Sequence, residues 1–378
     1  MASKSSVAWK KSFTKDNLKK LFEEKVRTRP SVGLDWTTVD KLDKSLDAQI
    51  EIVLRKCDEC SYKFTRYREL LISKGAKKPP RCISIPTMRD KLVFSALNEV
   101  LVSVLGKSVL TPMPQVVIEE VTDSIANTEF DAFIKIDIKS FYASINHARL
   151  WKTLRRRIRK KQIVSLIENA IQTPTISPNS LAGEVVRTTG LPEGLPISNT
   201  LANLYLQVMD EKFSEERTIY RYWRYVDDIL ILTKKEFCER IKEDVLNEIT
   251  NLDLEAGNGK TSHGLISDGF EYLGYHLSKS CISVRKSSVV ALERTIEDLF
   301  RQYRKSKGRN VKYLQWRLNL KITGFVFEEH KYGWLFFYSQ IDDYGRLFHL
   351  DWFVKKMAKR YNVEKVKFKR FVRAYKEM

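Results

Sequence analysis

The chain is poor in the features that define several large classes of protein. Its 378 residues hold five cysteines, Cys57, Cys60, Cys82, Cys238 and Cys281, an odd and scattered set that excludes a disulfide framework. Cys57-x-x-Cys60 has metal-ligand spacing, but no second pair or His-x-x-His lies near it, so both read as ordinary thiols on a helix. Its 15 glycines and 10 prolines form no linker that divides the chain, and no internal repeat or low-complexity tract is present. No apolar run is long enough to cross a bilayer. The first twenty residues are polar and lysine-rich, without the apolar core of a signal peptide. A cytoplasmic protein without a membrane partner is expected.

What the chain has in abundance is positive charge, unevenly spread. The formal net charge is +20. Residues 1–90 carry 21 Lys/Arg against 12 Asp/Glu, and residues 301–378 carry 20 against 7, so the 210 residues between them are nearly neutral. A neutral centre between cationic flanks suits a protein that handles a polyanion at its edges and keeps carboxylates inside. With 30% charged and 43% hydrophobic residues, the composition is that of an ordered globular chain.

Periodicity supplies a coarse map. A helix starts at Thr14, and apolar positions at helical spacing run from Thr37 to Cys57. Arg81 to Ile85 alternates as a short strand, and Asp90 reads as the cap of an apolar helix from Lys91 to Leu105. Phe133 to Ile138 alternates as a strand that ends on Asp137 and runs toward a helix near Asn146. Gly190 to Ser198 is a Gly/Pro turn feeding a helix from Asn199 to Phe213. Trp223 to Leu232 is strand, turn and strand, with Asp227 and Asp228 at the turn. Phe270 to Leu277 reads as a hairpin, and beyond Ser287 the chain is helical, basic and aromatic.

Adjacent aspartates are usually a solvated turn. Here Tyr225-Val226-Asp227-Asp228 sits between apolar strands, where two acids repel and need a compensating cation. Asp137, at the end of a separate apolar strand, supplies a third carboxylate. Carboxylates delivered from separate strands are what a two-metal phosphoryl-transfer site requires, since Mg²⁺ takes oxygen ligands and shares its shell with substrate phosphates.

These segments resemble the motifs of reverse transcriptases. Tyr225-Val226-Asp227-Asp228 is similar to their catalytic turn, and Phe133 through Tyr142 to their first catalytic strand. Gly190 through Asn203 resembles the nucleotide-binding turn and helix, and Arg81 through Asp90 the fingers motif of bacterial and group II intron enzymes. Leu254 through Thr261 and Tyr272-Leu273-Gly274-Tyr275 resemble two later palm motifs. All six occur in family order. The resemblance implies an α+β right hand: an N-terminal helical extension (1–60), fingers and palm with an antiparallel sheet packed on helices (61–280), and a basic helical thumb (281–378).

It also implies roles. Asp137, Asp227 and Asp228 would hold two Mg²⁺ ions, or Mn²⁺ in their place, with the Ile138 carbonyl assisting. Arg81, Tyr142, Glu193 and Lys260 would meet the incoming dNTP, with Arg89 as a further fingers candidate. Tyr142 stands where the family keeps an aromatic under the sugar, which favours deoxynucleotides. Arg301, Arg304, Lys355 and Lys356 would grip nucleic acid. One position departs: Glu193 stands where the family usually has Gln, and an ionised Glu accepts hydrogen bonds but donates none.

Residues 322–341 resemble the C-terminal region of bacterial defence-associated reverse transcriptases, and among these the smaller enzyme of a two-polymerase type-three system. Retron and group II intron enzymes are more distant. That resemblance implies a bacterial, antiphage enzyme making cDNA on a dedicated noncoding RNA, with a second reverse transcriptase or another copy of itself as protein partner. No RNase H-like acidic set and no His-Asn-His tail follows the palm motifs, so a self-mobilising element is not expected. Two other readings stay open: template-independent or protein-primed DNA synthesis by the same palm, and a nonenzymatic RNA-binding scaffold.

Overall fold

The computed structural model describes residues 3–75, 79–126, 129–178, 188–257, 259, 261–327 and 330–378. The fold mixes helices with small, mostly antiparallel sheets. The chain divides into two compact units.

The first unit comprises Met1–Thr111, Asp137–Glu216 and Glu243–Gly259. Its centre is the helix Met88–Leu105, in which Leu92, Val93, Phe94, Ala96, Leu97, Val100 and Leu101 are all buried. The N-terminal helices Lys4–Ser12 and Lys15–Leu21 and the π-helical turn Phe22–Arg27 pack on it. Thr14 caps the second of these by accepting from the Asn17 N–H. A three-stranded sheet sets Tyr67–Ile72 between Arg81–Ile85, paired antiparallel, and Thr175–Ile176, paired parallel.

Three local expectations are corrected here. The run from Thr37 to Cys57 is two helices, Val39–Asp43 and Leu46–Asp58, parted at Lys44-Ser45. Cys57 lies in the second, but Cys60 lies beyond its end in a left-handed conformation (φ 57°). The cap of the long helix is Thr87, whose hydroxyl accepts from the Asp90 N–H. Asp90 is fully buried inside the first turn, and its carboxylate accepts from the Tyr62 hydroxyl (2.6 Å) and the Thr65 N–H (3.0 Å).

The second unit comprises Pro112–Ile136, Arg217–Lys242 and Lys260–Met378. Its main sheet has four strands in the order Ile219–Tyr225, Asp228–Thr233, Ala132–Asp137, Ser262–Leu265. The strand that ends on Asp137 is therefore the neighbour of the strand that begins on Asp228. Ile229, Leu230, Ile231 and Leu232 are fully buried, as expected of a central strand covered on both faces. The expected hairpin forms from Phe270–Tyr272 and Tyr275–Leu277, with Leu273 (φ 44°) and Gly274 (φ 90°) in the left-handed conformations of a tight two-residue turn. Beyond it run the helices Lys286–Lys305, Val311–Thr323 and Tyr344–Arg360, whose buried faces join one core with Phe270, Tyr272 and Tyr275. A small hairpin, Phe325–Phe327 with His330–Tyr332, interrupts these helices and has no counterpart in the periodicity of the sequence.

Candidate active site

The turn that carries the paired acids is built by strain and by a local clamp. Tyr225 pairs directly with Asp228, which leaves Val226 and Asp227 as a two-residue turn. Val226 takes φ 60°, a left-handed conformation that a β-branched residue adopts only at a cost of about 1–3 kcal/mol. The Arg224 guanidinium donates to the Val226 carbonyl at 3.0 Å and ties the turn to its own strand. Behind it, Tyr272 is completely buried, its hydroxyl without a hydrogen-bond partner. Burial, with the charge of Asp228 adding to it, pushes the Tyr272 hydroxyl well above its usual range. Sequence reading missed Arg224 and Tyr272 in this role. The alternation of Tyr222 to Tyr225 was the signal that Arg224 shares a strand with the turn it clamps.

Asp137 is 7% exposed, and residues 255–257 run along it and the two residues that follow. Ile138 bridges Ala256 in antiparallel fashion, the Gly257 N–H donates to the Asp137 carbonyl at 2.6 Å, and Lys139 meets Glu255 at 2.7 Å. Gly257 matters because it has no side chain: a Cβ there would stand 2.7 Å from Asp137 Oδ2, inside any tolerated contact. The carboxylate therefore keeps room at that face only while residue 257 is glycine.

The nucleotide-side candidates also lie in the first unit, except Lys260, which falls outside the described residues. Phe141 is the buried aromatic of the Phe141–Ser144 turn of helix, while Tyr142 is half-exposed and its hydroxyl bonds to the Asn199 side chain. The turn at Gly190 is fastened to the same segment, since the Leu191 N–H donates to the Tyr142 carbonyl at 2.7 Å and the Gly190 N–H to the Ile145 carbonyl at 2.8 Å.

Glu193 is bound twice to the Arg81–Ile85 strand. Its carboxylate takes a hydrogen bond from Arg81 Nε, and its carbonyl accepts from the Ser84 N–H at 2.6 Å. Gly194 permits the approach with φ 103°, where a Cβ would press on Ile83 at 2.7 Å. Arg81 and Glu193, read from the sequence as two separate nucleotide contacts, are thus one ion pair. Arg89 donates to the Gln49 side chain, on the helix Leu46–Asp58, at 3.4 Å.

The basic candidates lie on helices of the second unit. Arg301 pairs with Glu297 (3.3 Å) and Asp298 (3.4 Å), and Arg304 is exposed one turn further along. Lys355 is exposed, and Lys356 lies over the Trp352 ring at 4.8 Å.

Asp137 belongs to one unit, and Asp227 and Asp228 to the other. Among the described residues no three His, Cys, Asp or Glu side chains form one ready metal-ligating group. Carboxylates are hard oxygen donors, and the space that Gly257 keeps open beside Asp137 Oδ2 fits an oxygen-bound divalent ion.

Comparison with known proteins gives this arrangement its family. A family model for reverse transcriptase (RNA-dependent DNA polymerase) matches residues 72–277, more than half of the chain. A putative COX1/OXI3 intron 1 protein of Saccharomyces cerevisiae is 24% identical over 67% of this chain and 37% of its own length. An uncharacterised 91 kDa protein in the cob intron of Schizosaccharomyces pombe is 27% identical over 52% of this chain and 25% of its own. Protein YkfC of Escherichia coli is 22% identical over 76% of this chain and 85% of its own length. The chain thus spans between a quarter and two fifths of the length of the two yeast relatives. An apo telomerase from Candida tropicalis, truncated from its C-terminal domain, aligns with TM-score 0.47 at 16% identity, over 59% of this chain and 55% of that one. On the match across its palm motifs, the chain belongs to the reverse transcriptase family.

Proposed function

We propose that this protein is an RNA-directed DNA polymerase whose metal-binding carboxylates are Asp137, Asp227 and Asp228, in a fingers-and-palm region of residues 61–280 after a helical extension, with residues 281–378 as thumb. One observation carries the reading. The strand ending on Asp137 neighbours the strand that opens on Asp228, and the turn before it holds Asp227 in a conformation the chain pays for with strain at Val226. A turn evolved only for solvation gains nothing from a β-branched residue in the left-handed region.

The three aspartates, with the Ile138 carbonyl, would hold two Mg²⁺ ions. Mg²⁺ supplies, when bound, the positive charge that favours the deprotonated 3′ hydroxyl and the leaving pyrophosphate. The chain's own groups do the rest. Tyr142, anchored through Asn199, presents its ring toward the sugar and disfavours a 2′ hydroxyl. Arg81, when it exchanges Glu193 for the triphosphate, is the guanidinium that meets it, and Lys260 stands in its motif where it would meet the same charge. Arg301, Arg304, Lys355 and Lys356 contact the backbone of the template and product.

The finer reading rests on the resemblance of residues 322–341 to defence-associated enzymes: a noncoding RNA serves as template or scaffold, a second polymerase or another copy is the protein partner, and the cDNA supports antiphage defence in a bacterial cytoplasm. The polymerase reading is tested by dNTP incorporation on a primed RNA, with and without Mg²⁺. Wild type should extend the primer with template-specified bases. Asp227→Asn should lose about 10²-fold or more of kcat. Extension that ignores the template sequence would replace RNA-directed with untemplated synthesis, and equal activity of wild type and variant would end the metal assignment. Phage plating on cells carrying the native locus, with wild type or Asp227→Asn, tests the defence role.

A further inference from the structure

The tip of the helical hairpin made by Lys286–Lys305 and Val311–Thr323 carries a feature that metal-dependent polymerisation does not use. Residues 301–317 contain Arg301, Arg304, Lys305, Lys307, Arg309, Lys312 and Arg317, and no acid. Amid this charge lies a groove of about 350 Å³, floored by Leu299 and Leu314 and flanked by Tyr303, Arg309, Tyr313 and Arg317. Leu299 and Leu314 are buried, yet Tyr313 is 55% exposed and stacks on Trp316, itself 59% exposed, with ring centroids 5.9 Å apart at 24°. Arg317 lies 5.6 Å over the Tyr313 ring, its guanidinium directed by a 2.6 Å bond to Gln302. The main chain at this end is fixed as well, because the Asn310 side chain accepts from the Tyr313 N–H at 3.0 Å and caps the second helix.

We infer that this groove is a binding site for an unpaired nucleotide of single-stranded nucleic acid, its base against Tyr313 and its phosphates toward Arg309 and Arg317. The charge selects a polyanion. The shape selects a single strand: an apolar floor with an aromatic wall takes a base face, and a duplex buries its base faces in its own stack. Large aromatic side chains left in water beside arginine, rather than folded into the adjacent core, are the ordinary equipment of such a platform. The site stands independently of the polymerase assignment, since none of its residues is placed in the metal or nucleotide machinery.

The test uses the full chain and fluorescence anisotropy with labelled oligouridine and oligodeoxythymidine dodecamers and an RNA duplex of the same length. Tyr313→Ala should weaken binding of the single strands by about 5- to 100-fold, the range for loss of one stacked base. Tyr313→Trp should restore it, while duplex affinity and the salt dependence of binding stay at wild-type values. A loss confined to RNA would assign the site to RNA, and an equal loss on both strands to either sugar. An unchanged affinity in Tyr313→Ala overturns the site, as does an equal loss for duplex and single strand. A loss that Trp does not restore, with the melting temperature lowered, also overturns it by assigning Tyr313 a structural role.

Discussion

At the scale of single residues, the strand end and the turn that carry the three aspartates were legible and their neighbours were not. Asp137 stands out because it closes a mostly apolar strand, and Asp227 and Asp228 because they stand together where two strands meet at a turn. Gly257 leaves no such mark, because its importance is the absence of a side chain beside Asp137 Oδ2. Its substitution gives a sharp expectation: Gly257→Ala should lower kcat by about 10²-fold, the usual effect of displacing a reacting group by an ångström. The melting temperature should stay near that of wild type, because the nearest atoms that the added Cβ would meet are those of Asp137 and not core side chains. Primer extension and thermal melting, measured on the same preparation, check both halves.

The Arg81–Glu193 pair was invisible for a different reason: its partners are separated by 112 positions. A carboxylate holding Arg81 competes with the triphosphate for the same guanidinium. Glu193→Gln should therefore lower KM for dNTP several-fold with kcat unchanged. Stability should shift by less than about 1 kcal/mol, since the pair is partly exposed, 46% at Arg81 and 26% at Glu193. Steady-state kinetics at varied dNTP decides it. A raised KM would mean that Glu193 positions Arg81 instead of competing for it.

At the scale of elements, apolar patterning located the strands well and the helix boundaries less well. Arg81–Ile85 follows from period-two patterning, and Asp228–Thr233 from the continuous apolar run of a strand covered on both faces. The break at Lys44-Ser45 was hidden because the apolar spacing carries on across it. Asp90 was misread because Thr87 and Asp90 are both competent caps. The choice is made by the buried Tyr62 and the Thr65 N–H, which claim the carboxylate from residues distant in sequence.

That burial has a consequence for the helix. Desolvation pushes the Asp90 carboxyl above its ordinary 3.8, against the hydrogen bonds that pull it down. With the folded value raised, the unfolded chain ionises first as pH climbs through about 4, so stability falls from there until the folded value is passed. Asp90→Asn should remove that component of the pH profile. It should also cost about 1–3 kcal/mol near neutrality, because one amide oxygen replaces two acceptors for two buried donors. Urea unfolding of both proteins between acid and neutral pH reads the two effects separately, and parallel profiles would show that Asp90 does not titrate in this range.

At the scale of the whole chain, the decisive quantity is the placement of charge. Residues 301–378 hold 20 of the 67 Lys/Arg with only 7 acids, so affinity for nucleic acid should be dominated by counterion release and fall steeply with salt. The four basic candidates should not contribute equally. Arg301 is already engaged by Glu297 and Asp298, and must give up that compensation to meet a phosphate. Arg304 is exposed on the last turn of the same helix, where no acid follows. On an RNA–DNA hybrid, Arg304→Gln should reduce the slope of log affinity against log salt by about 1, the signature of one lost phosphate contact. Arg301→Gln should change it by clearly less. Lys356→Gln should behave like Arg304→Gln, because a lysine over an aromatic ring keeps its full charge. Salt titrations of the three variants against wild type give the answer directly. If all three slopes match wild type, the hybrid does not rest on these helices, and the cationic end of the chain serves another polyanion.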